Sequence, residues 1–298
     1  MILGLLDAAP LVHHDLFPNS GAFSLMSPLL RSAAPLVLFA AIASLRAIVR
    51  RPARFRVVPS LASSALIALC LFVLPAILNL VAVRGLSLLT LIGLTSLIPV
   101  FCAVLEPHLN PTRSPRSGNA ALFASLAGFS GVLLIFPFTL PDSGAAAIAL
   151  AAGLAAPFSV ALGYCLLIRC AAAGPPMLVV GIRSTLTAAI ALVAIALCSG
   201  RPLSIGVVAS PVALLPIAIA ALFQAAAIGL LFRLARHLSA TRLAAPQPIS
   251  LLFAVLIEAV LLQQPISAPI AIGLLLLAAG AAALLFVHSS DEEPLHLH

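Results

Sequence analysis

Long apolar segments alternate with short clusters of arginine, proline and glycine along almost the whole chain. A membrane-spanning helix needs about 20 mainly apolar residues, and six segments of that length contain no charged residue. Three more contain one or two charges, namely Arg31, Arg183, and Arg242 with Glu258. The pattern predicts nine full-length transmembrane helices, over residues 27–49, 58–82, 86–105, 118–138, 144–168, 176–198, 208–232, 238–262 and 267–287.

The first residues depart from this pattern. Residues 1–12 are apolar but shorter than a membrane span, and they include Asp7 and Pro10. They lack the positively charged start and small-residue cleavage site of a signal peptide. We therefore expect a truncated or re-entrant first helix, or a misassigned start, followed by a loop over residues 13–21.

The composition excludes a soluble protein. Of 298 residues, 63% are hydrophobic and 8% are charged, and the mean hydropathy is +1.24. Soluble domains carry about 25% charged residues. No nucleophile elbow, metal-protease motif or phosphate-binding loop is present, so the sequence predicts neither an enzyme nor a bound cofactor or metal. The five cysteines lie in or beside apolar segments, which predicts small core residues.

The arginines predict the orientation in the membrane. All fifteen basic residues are arginine, and eleven fall in or beside alternate connections between predicted helices, on one side of the membrane. Cytoplasmic loops carry the excess of basic residues. We therefore expect the arginine-rich loops and the tail 288–298 on the cytoplasmic side of a bacterial inner membrane.

A shift of 152 residues superimposes the two halves of the chain. It relates Arg31 to Arg183, Arg84 to Arg236 and Glu106 to Glu258, among other matches. Each half has five helices, an odd number, so the second half enters the membrane from the opposite side. The sequence predicts two inverted repeats, over 1–138 and 144–287, an arrangement typical of secondary transporters.

Several segments resemble the EamA-like family of the drug/metabolite transporter superfamily. They are the two helix corners over 80–101 and 234–250, the closing helix over 273–285, and the positions of Arg31 and Arg183. The resemblance implies a ten-helix carrier with a central cavity lined by helices one, three, four, six, eight and nine. The family's Gly-Glu pair is altered here, since Gln264 stands at one of its Glu positions and the other copy is shortened to Leu105-Glu106-Pro107.

Polar residues inside predicted spans are candidates for function, because they are costly in lipid and usually face a cavity or a partner. Candidates for substrate binding are Asn79, Tyr164, Gln224 and Gln247, the last between two prolines. For Gln224, bonding between helices is an equal alternative. Other residues with a candidate role are Glu258, as a coupling carboxylate or a partner of Arg84, and Arg31 and Arg183, as anion contacts or structural residues. Glu106 is expected in a loop.

These features favour a secondary-active exporter of small organic metabolites, amino-acid-like or amphiphilic, that works by alternating access. The alternative is a non-transporting polytopic protein, either a lipid-modifying enzyme or a sensor scaffold. A phosphorylated-sugar carrier would need more basic residues in the cavity. Gly128 and Gly280 predict close packing of the fifth and tenth helices, 118–138 and 267–287, which would also allow a homodimer.

Overall fold

The computed structural model describes residues 28–49, 60–86, 88–111, 118–135, 143–174, 176–198, 211–261 and 268–286. These residues form helices and short connections, without strands among them. The predicted first helix, the loop after it and the tail 288–298 lie outside the described residues.

The described residues of the N-terminal half form six α-helices and one π-helical turn. They are α1 (Pro28–Val49), α2 (Leu61–Ala68), the π turn (Leu69–Val73), α3 (Leu74–Ala82), α4 (Leu88–Thr95), α5 (Ile98–Leu109) and α6 (Gly118–Ile135). The Ser60 hydroxyl accepts a bond from the Ser63 amide and caps α2. A serine oxygen satisfies an amide that the first helical turn leaves unpaired.

Six more helices lie in the part of the C-terminal half that the structure describes. They are α7 (Gly144–Ala172), α8 (Met177–Cys198), α9 (Pro211–Leu234), α10 (Ala240–Ala244), α11 (Pro246–Leu261) and α12 (Ala268–Phe286). Ser143 and Ser239 cap α7 and α10 as Ser60 caps α2.

The described helices lie in the segments predicted from the apolar pattern, but two of those segments are broken. The segment 86–105 divides at Ser96 and Leu97 into α4 and α5. The segment 238–262 divides at Ala245 into α10 and α11. Proline follows each break, Pro99 in α5 and Pro246 in α11. Because proline lacks an amide hydrogen and fits the first turn of a helix, it favours a new start at these points.

By length and composition, four helices of the described part can cross a membrane. They are Leu61–Ala82, Thr90–Leu109, Gly144–Ala172 and Met177–Cys198. Four shorter apolar helices, within α1, α6, α9 and α12, accompany them. The chain therefore has the character of a multi-pass membrane protein, and the number of crossings stays a prediction.

The described bundle contains two packed groups of helices and the long helix α7. On one side α1 packs along α8, and both contact α9. On the other side α6 packs along α12, with α5 and α11 beside them. The long helix α7 contacts α2, the π turn, α3, α4, α5 and α10. It therefore touches the second group directly through α5 and reaches the first group through α2, the π turn and α3, which pack against α8 or α1.

Glycines allow α6 and α12 to approach very closely. A Cβ atom built on Gly280 would lie 2.6 Å from the Gly128 nitrogen and 2.7 Å from the Ala124 oxygen. A Cβ on Gly273 would lie 2.6 Å from the Gly131 oxygen. The glycine faces of these helices are therefore covered within the chain. A homodimer through the fifth and tenth helices stays a prediction, and it would have to use their outer faces.

Candidate functional site

The π turn in the middle of Leu61–Ala82 rests against α7. The Ser159 hydroxyl donates to the carbonyl oxygen of Cys70, which belongs to the π turn, at 2.9 Å. A Cβ atom on Gly163 would lie 2.6 Å from the side chain of Leu71 and 3.1 Å from its nitrogen. Since π turns of this kind often occur at functional sites, the contact singles out this stretch of α7.

Tyr164 and Gln247, two of the residues predicted to bind substrate, are brought together. Tyr164 follows Gly163 on α7 and is buried, with 7% of its surface exposed. The side chain of Gln247 lies beside the Tyr164 hydroxyl and interacts with it. Gln247 lies in the first turn of α11, directly after the break at Ala245. The pair therefore joins the central helix to a broken helix, in a bundle with few polar groups.

A second polar group lies at the other broken helix. The hydroxyl of Ser96, between α4 and α5, is buried and has no hydrogen-bond partner in the described part of the chain. Phe101 of α5 contacts Phe158 of α7 edge to face, with ring centroids 5.5 Å apart. Burying an unbonded hydroxyl costs free energy, so Ser96 is a polar group whose hydrogen-bonding capacity is unused in the described part of the chain.

The other predicted binding residues do not join this pair through any described contact. Asn79 is exposed on α3, a helix that packs against α7. Gln224 is half-buried on α9, whose main partners are α1 and α8. A stacked pair fixes α9 there, since the rings of Phe39 and Phe232 lie 6.3 Å apart.

The charged candidates are placed only in part. Arg183 is half-buried in the first turns of α8. Arg31 lies in α1 and Glu258 lies in α11. For these two residues the structure describes the backbone only. Their predicted roles, anion contact or structure for the arginines and coupling for the glutamate, stay predictions.

Glu106 does not lie in a loop, so that expectation was wrong. It belongs to α5, and only 1% of its surface is exposed. The Ala240 amide donates to Oε1 at 2.8 Å, and the Thr241 amide and hydroxyl donate to Oε2 at 3.2 and 2.9 Å. Pro107, the next residue, also lies inside α5 and does not end the helix. The shift of 152 residues, which paired Glu106 with Glu258, was the signal that could have identified it.

The cysteines follow the expectation in part. Cys70, Cys102 and Cys165 are buried, whereas Cys170 is half-buried and Cys198 is exposed. Cys102 of α5 lies near Cys165 of α7 and near Tyr164. Within the residues described, no group of three or more His, Cys, Asp or Glu side chains could hold a metal ion.

Comparison with known proteins identifies a family for the C-terminal half of the chain. No curated protein matches the chain. The alignment with one solved crystal structure covers 95% of this chain and 98% of the chain in that structure, with a TM-score of 0.63 and 17% sequence identity. This likeness shows the fold alone. The model of the EamA-like transporter family matches residues 146–286. The C-terminal half of the chain therefore contains a domain of the EamA-like transporter type.

Proposed function

We propose that this chain is a secondary-active exporter of small organic metabolites that works by alternating access. The family whose model matches residues 146–286 is one of membrane transporters rather than of enzymes. The observation that carries the proposal further is the Tyr164–Gln247 pair, a polar contact at a helix break inside an apolar bundle. Transporters commonly bind cargo where membrane helices are discontinuous.

Packing between helices supports the two inverted repeats, 1–138 and 144–287. Under the shift of 152 residues, α2 against α8 corresponds to α9 against α1. In the same way α5 against α6 corresponds to α11 against α12, and α5 against α10 corresponds to α11 against α4. Two halves related in this way can exchange conformations. The inward-facing and outward-facing states of the carrier are then close in free energy.

The cargo site that we propose lies at the two breaks. Tyr164 and Gln247 offer a hydroxyl and an amide, and the Ser96 hydroxyl has no partner in the described structure. Such neutral donors and acceptors suit an amino-acid-like or amphiphilic molecule. Asn79 and Gln224 extend this site when the helices that carry them, α3 and α9, rearrange.

The remaining elements of the proposal come from the sequence. The arginine-rich loops and the tail 288–298 face the cytoplasm of a bacterial inner membrane. Glu258 is the coupling carboxylate, and Arg31 and Arg183 contact anionic groups or headgroups. The Glu258→Gln variant tests the coupling, because unchanged pH dependence of flux in this variant would remove Glu258 from the mechanism.

The experiment compares metabolite release from cells with and without the gene, followed by flux of the released compounds in proteoliposomes. Tyr164→Phe and Gln247→Ala are expected to raise the KM for the cargo. Ser125→Ala is the matched control, because the Ser125 hydroxyl bonds only within α6, to the Ala121 oxygen at 2.8 Å.

The outcome separates the proposal from its alternative. Flux that depends on Tyr164 and Gln247 and is unaffected in Ser125→Ala supports a carrier. Thermal stabilisation by a ligand without any vesicle flux would instead indicate a non-transporting membrane protein.

A further inference from the structure

Glu106 connects the two halves of the chain through a buried carboxylate. Its three hydrogen bonds all come from Ala240 and Thr241, the first two residues of α10. The partners are 134 and 135 residues away in the sequence. The contact therefore belongs to the tertiary structure and not to the local structure of α5.

The carboxylate completes the N-terminus of α10. The Ser239 hydroxyl accepts a hydrogen bond from the Arg242 amide, and Glu106 accepts those of Ala240 and Thr241. The first amides of a helix have no partner inside it, and a negative charge there is stabilised by the helix dipole. Without Glu106, two amides and one hydroxyl would lose their partner in a buried place.

A second side chain at the same end of α5 hydrogen-bonds to α7. Asn110 follows the last residue of α5 and is buried, with 6% of its surface exposed. Its Nδ2 donates to the carbonyl oxygen of Cys165 at 3.0 Å. Through Glu106 and Asn110, the end of α5 is bonded to both α10 and α7, which belong to the other half.

We infer that Glu106 is a latch that holds this end of the bundle closed and that must release α10 when this end opens. The inference rests on the proposed function, because alternating access requires the two ends to open in turn. Glu106 is also a positioning residue, since α10 leads directly into α11 and hence into the Tyr164–Gln247 contact. Its bonds favour one of the two facing states, and their loss shifts the population towards the other.

The first test measures hydrogen exchange of backbone amides in the full chain, reconstituted in lipid nanodiscs. The Glu106→Gln variant keeps the size of the side chain, but it removes the negative charge and replaces one of the two acceptor oxygens with an NH2 group, which cannot accept from the α10 amides. Exchange in α10 is expected to increase at least about tenfold, since charge-assisted hydrogen bonds are lost. Exchange in α6 and α12 is expected to stay unchanged.

Thr241→Val and Thr185→Val form a matched pair that keeps the test valid if Glu106→Gln fails to fold. Thr241→Val removes only the hydroxyl that bonds to Glu106 across the halves. Thr185→Val removes an equally buried hydroxyl that bonds within α8, to the Gly181 oxygen at 2.7 Å. Faster exchange in α10 is expected for Thr241→Val and not for Thr185→Val.

Two results would overturn the latch. One is unchanged α10 exchange in Glu106→Gln and Thr241→Val. The other is exchange that increases equally in α10, α6 and α12, which would make Glu106 a general stabiliser of the fold. These measurements need no cargo, so their failure is distinguishable from an absence of vesicle flux, which would refute the proposed function instead.

Once a cargo is identified, flux gives a second readout. A shift between the two facing states is expected to change the KM for cargo in opposite directions on the two sides of the membrane in Glu106→Gln. A loss of stability would lower the maximal flux in both directions and leave both KM values unchanged, and that result would contradict the latch.

Discussion

The crossing of α6 and α12 allows a sharp prediction, because two glycines of one helix differ in what surrounds them. A Cβ atom on Gly131 would collide with the Gly273 oxygen and lie 2.9 Å from the Leu277 nitrogen. A Cβ on Gly128 would meet only the Gly280 Cα, at 3.9 Å, an ordinary contact. Gly131→Ala is therefore expected to destabilise the protein, and Gly128→Ala is not.

The magnitude follows from the atoms involved. The neighbours of Gly131 are mainly backbone atoms, which cannot rotate away as a side-chain tip can, so the helices must separate. Overpacking of this kind costs about 1–3 kcal/mol. The gain in helix propensity from glycine to alanine is at most about 1 kcal/mol. It is smaller where the unfolded state in the bilayer already contains the helix. We expect a net loss of roughly 1–2 kcal/mol for Gly131→Ala.

Thermal unfolding in detergent, followed with a thiol-reactive dye, measures this difference. The chain has no tryptophan and one tyrosine, whereas Cys70, Cys102 and Cys165 are buried and become reactive on unfolding. Gly144→Ala serves as a further control, because a Cβ there meets nothing within 4 Å. Equal melting temperatures for Gly131→Ala and Gly128→Ala would refute the close packing of α6 and α12.

Three other variants test the candidate site. Tyr164→Phe is expected to raise the KM for cargo roughly two- to tenfold, the value of one neutral hydrogen bond, whereas an unchanged KM would remove the hydroxyl from the site. Ser96→Ala is expected to leave the melting temperature unchanged or slightly raised, since it removes an unpaired buried hydroxyl. The same variant is expected to lower the flux of cargo, and normal flux would exclude a contact between Ser96 and cargo. Gly163→Ala is expected to lower the melting temperature, because the added methyl group meets Leu71 at 2.6 Å. Unchanged stability would contradict the contact between α7 and the π turn.

The helical segments could be predicted because the bilayer sets the length of an apolar segment. The apolar pattern gave the segments that became α1, α7 and α8, and the prolines Pro99 and Pro246 lie just after the two breaks. Tyr164 and Gln247 were identified because a polar side chain is conspicuous among apolar ones. The approximate extents of these helices, and the choice of Tyr164 and Gln247 as candidates, were thus accessible without coordinates.

The role of Glu106 could not be predicted in the same way. It precedes a proline and a polar stretch, which is the local pattern of a loop, and its partners are far away in the sequence. The π turn at Leu69–Val73 likewise has no local signature, because it depends on the contact with Ser159 and Gly163 of α7. Both features are products of tertiary packing, which patterns of hydrophobicity do not record.

The interlocked backbones of α6 and α12 have a mechanical consequence. These helices come from opposite halves of the chain, and their glycines bring main-chain atoms into direct contact. Sliding of α6 along α12 would force their carbonyl groups past one another. A small rotation of one helix against the other would disturb few atoms. If one half rotates against the other, the rotation axis would therefore lie along the contact between α6 and α12. The largest displacements would then occur at the helices farthest from it.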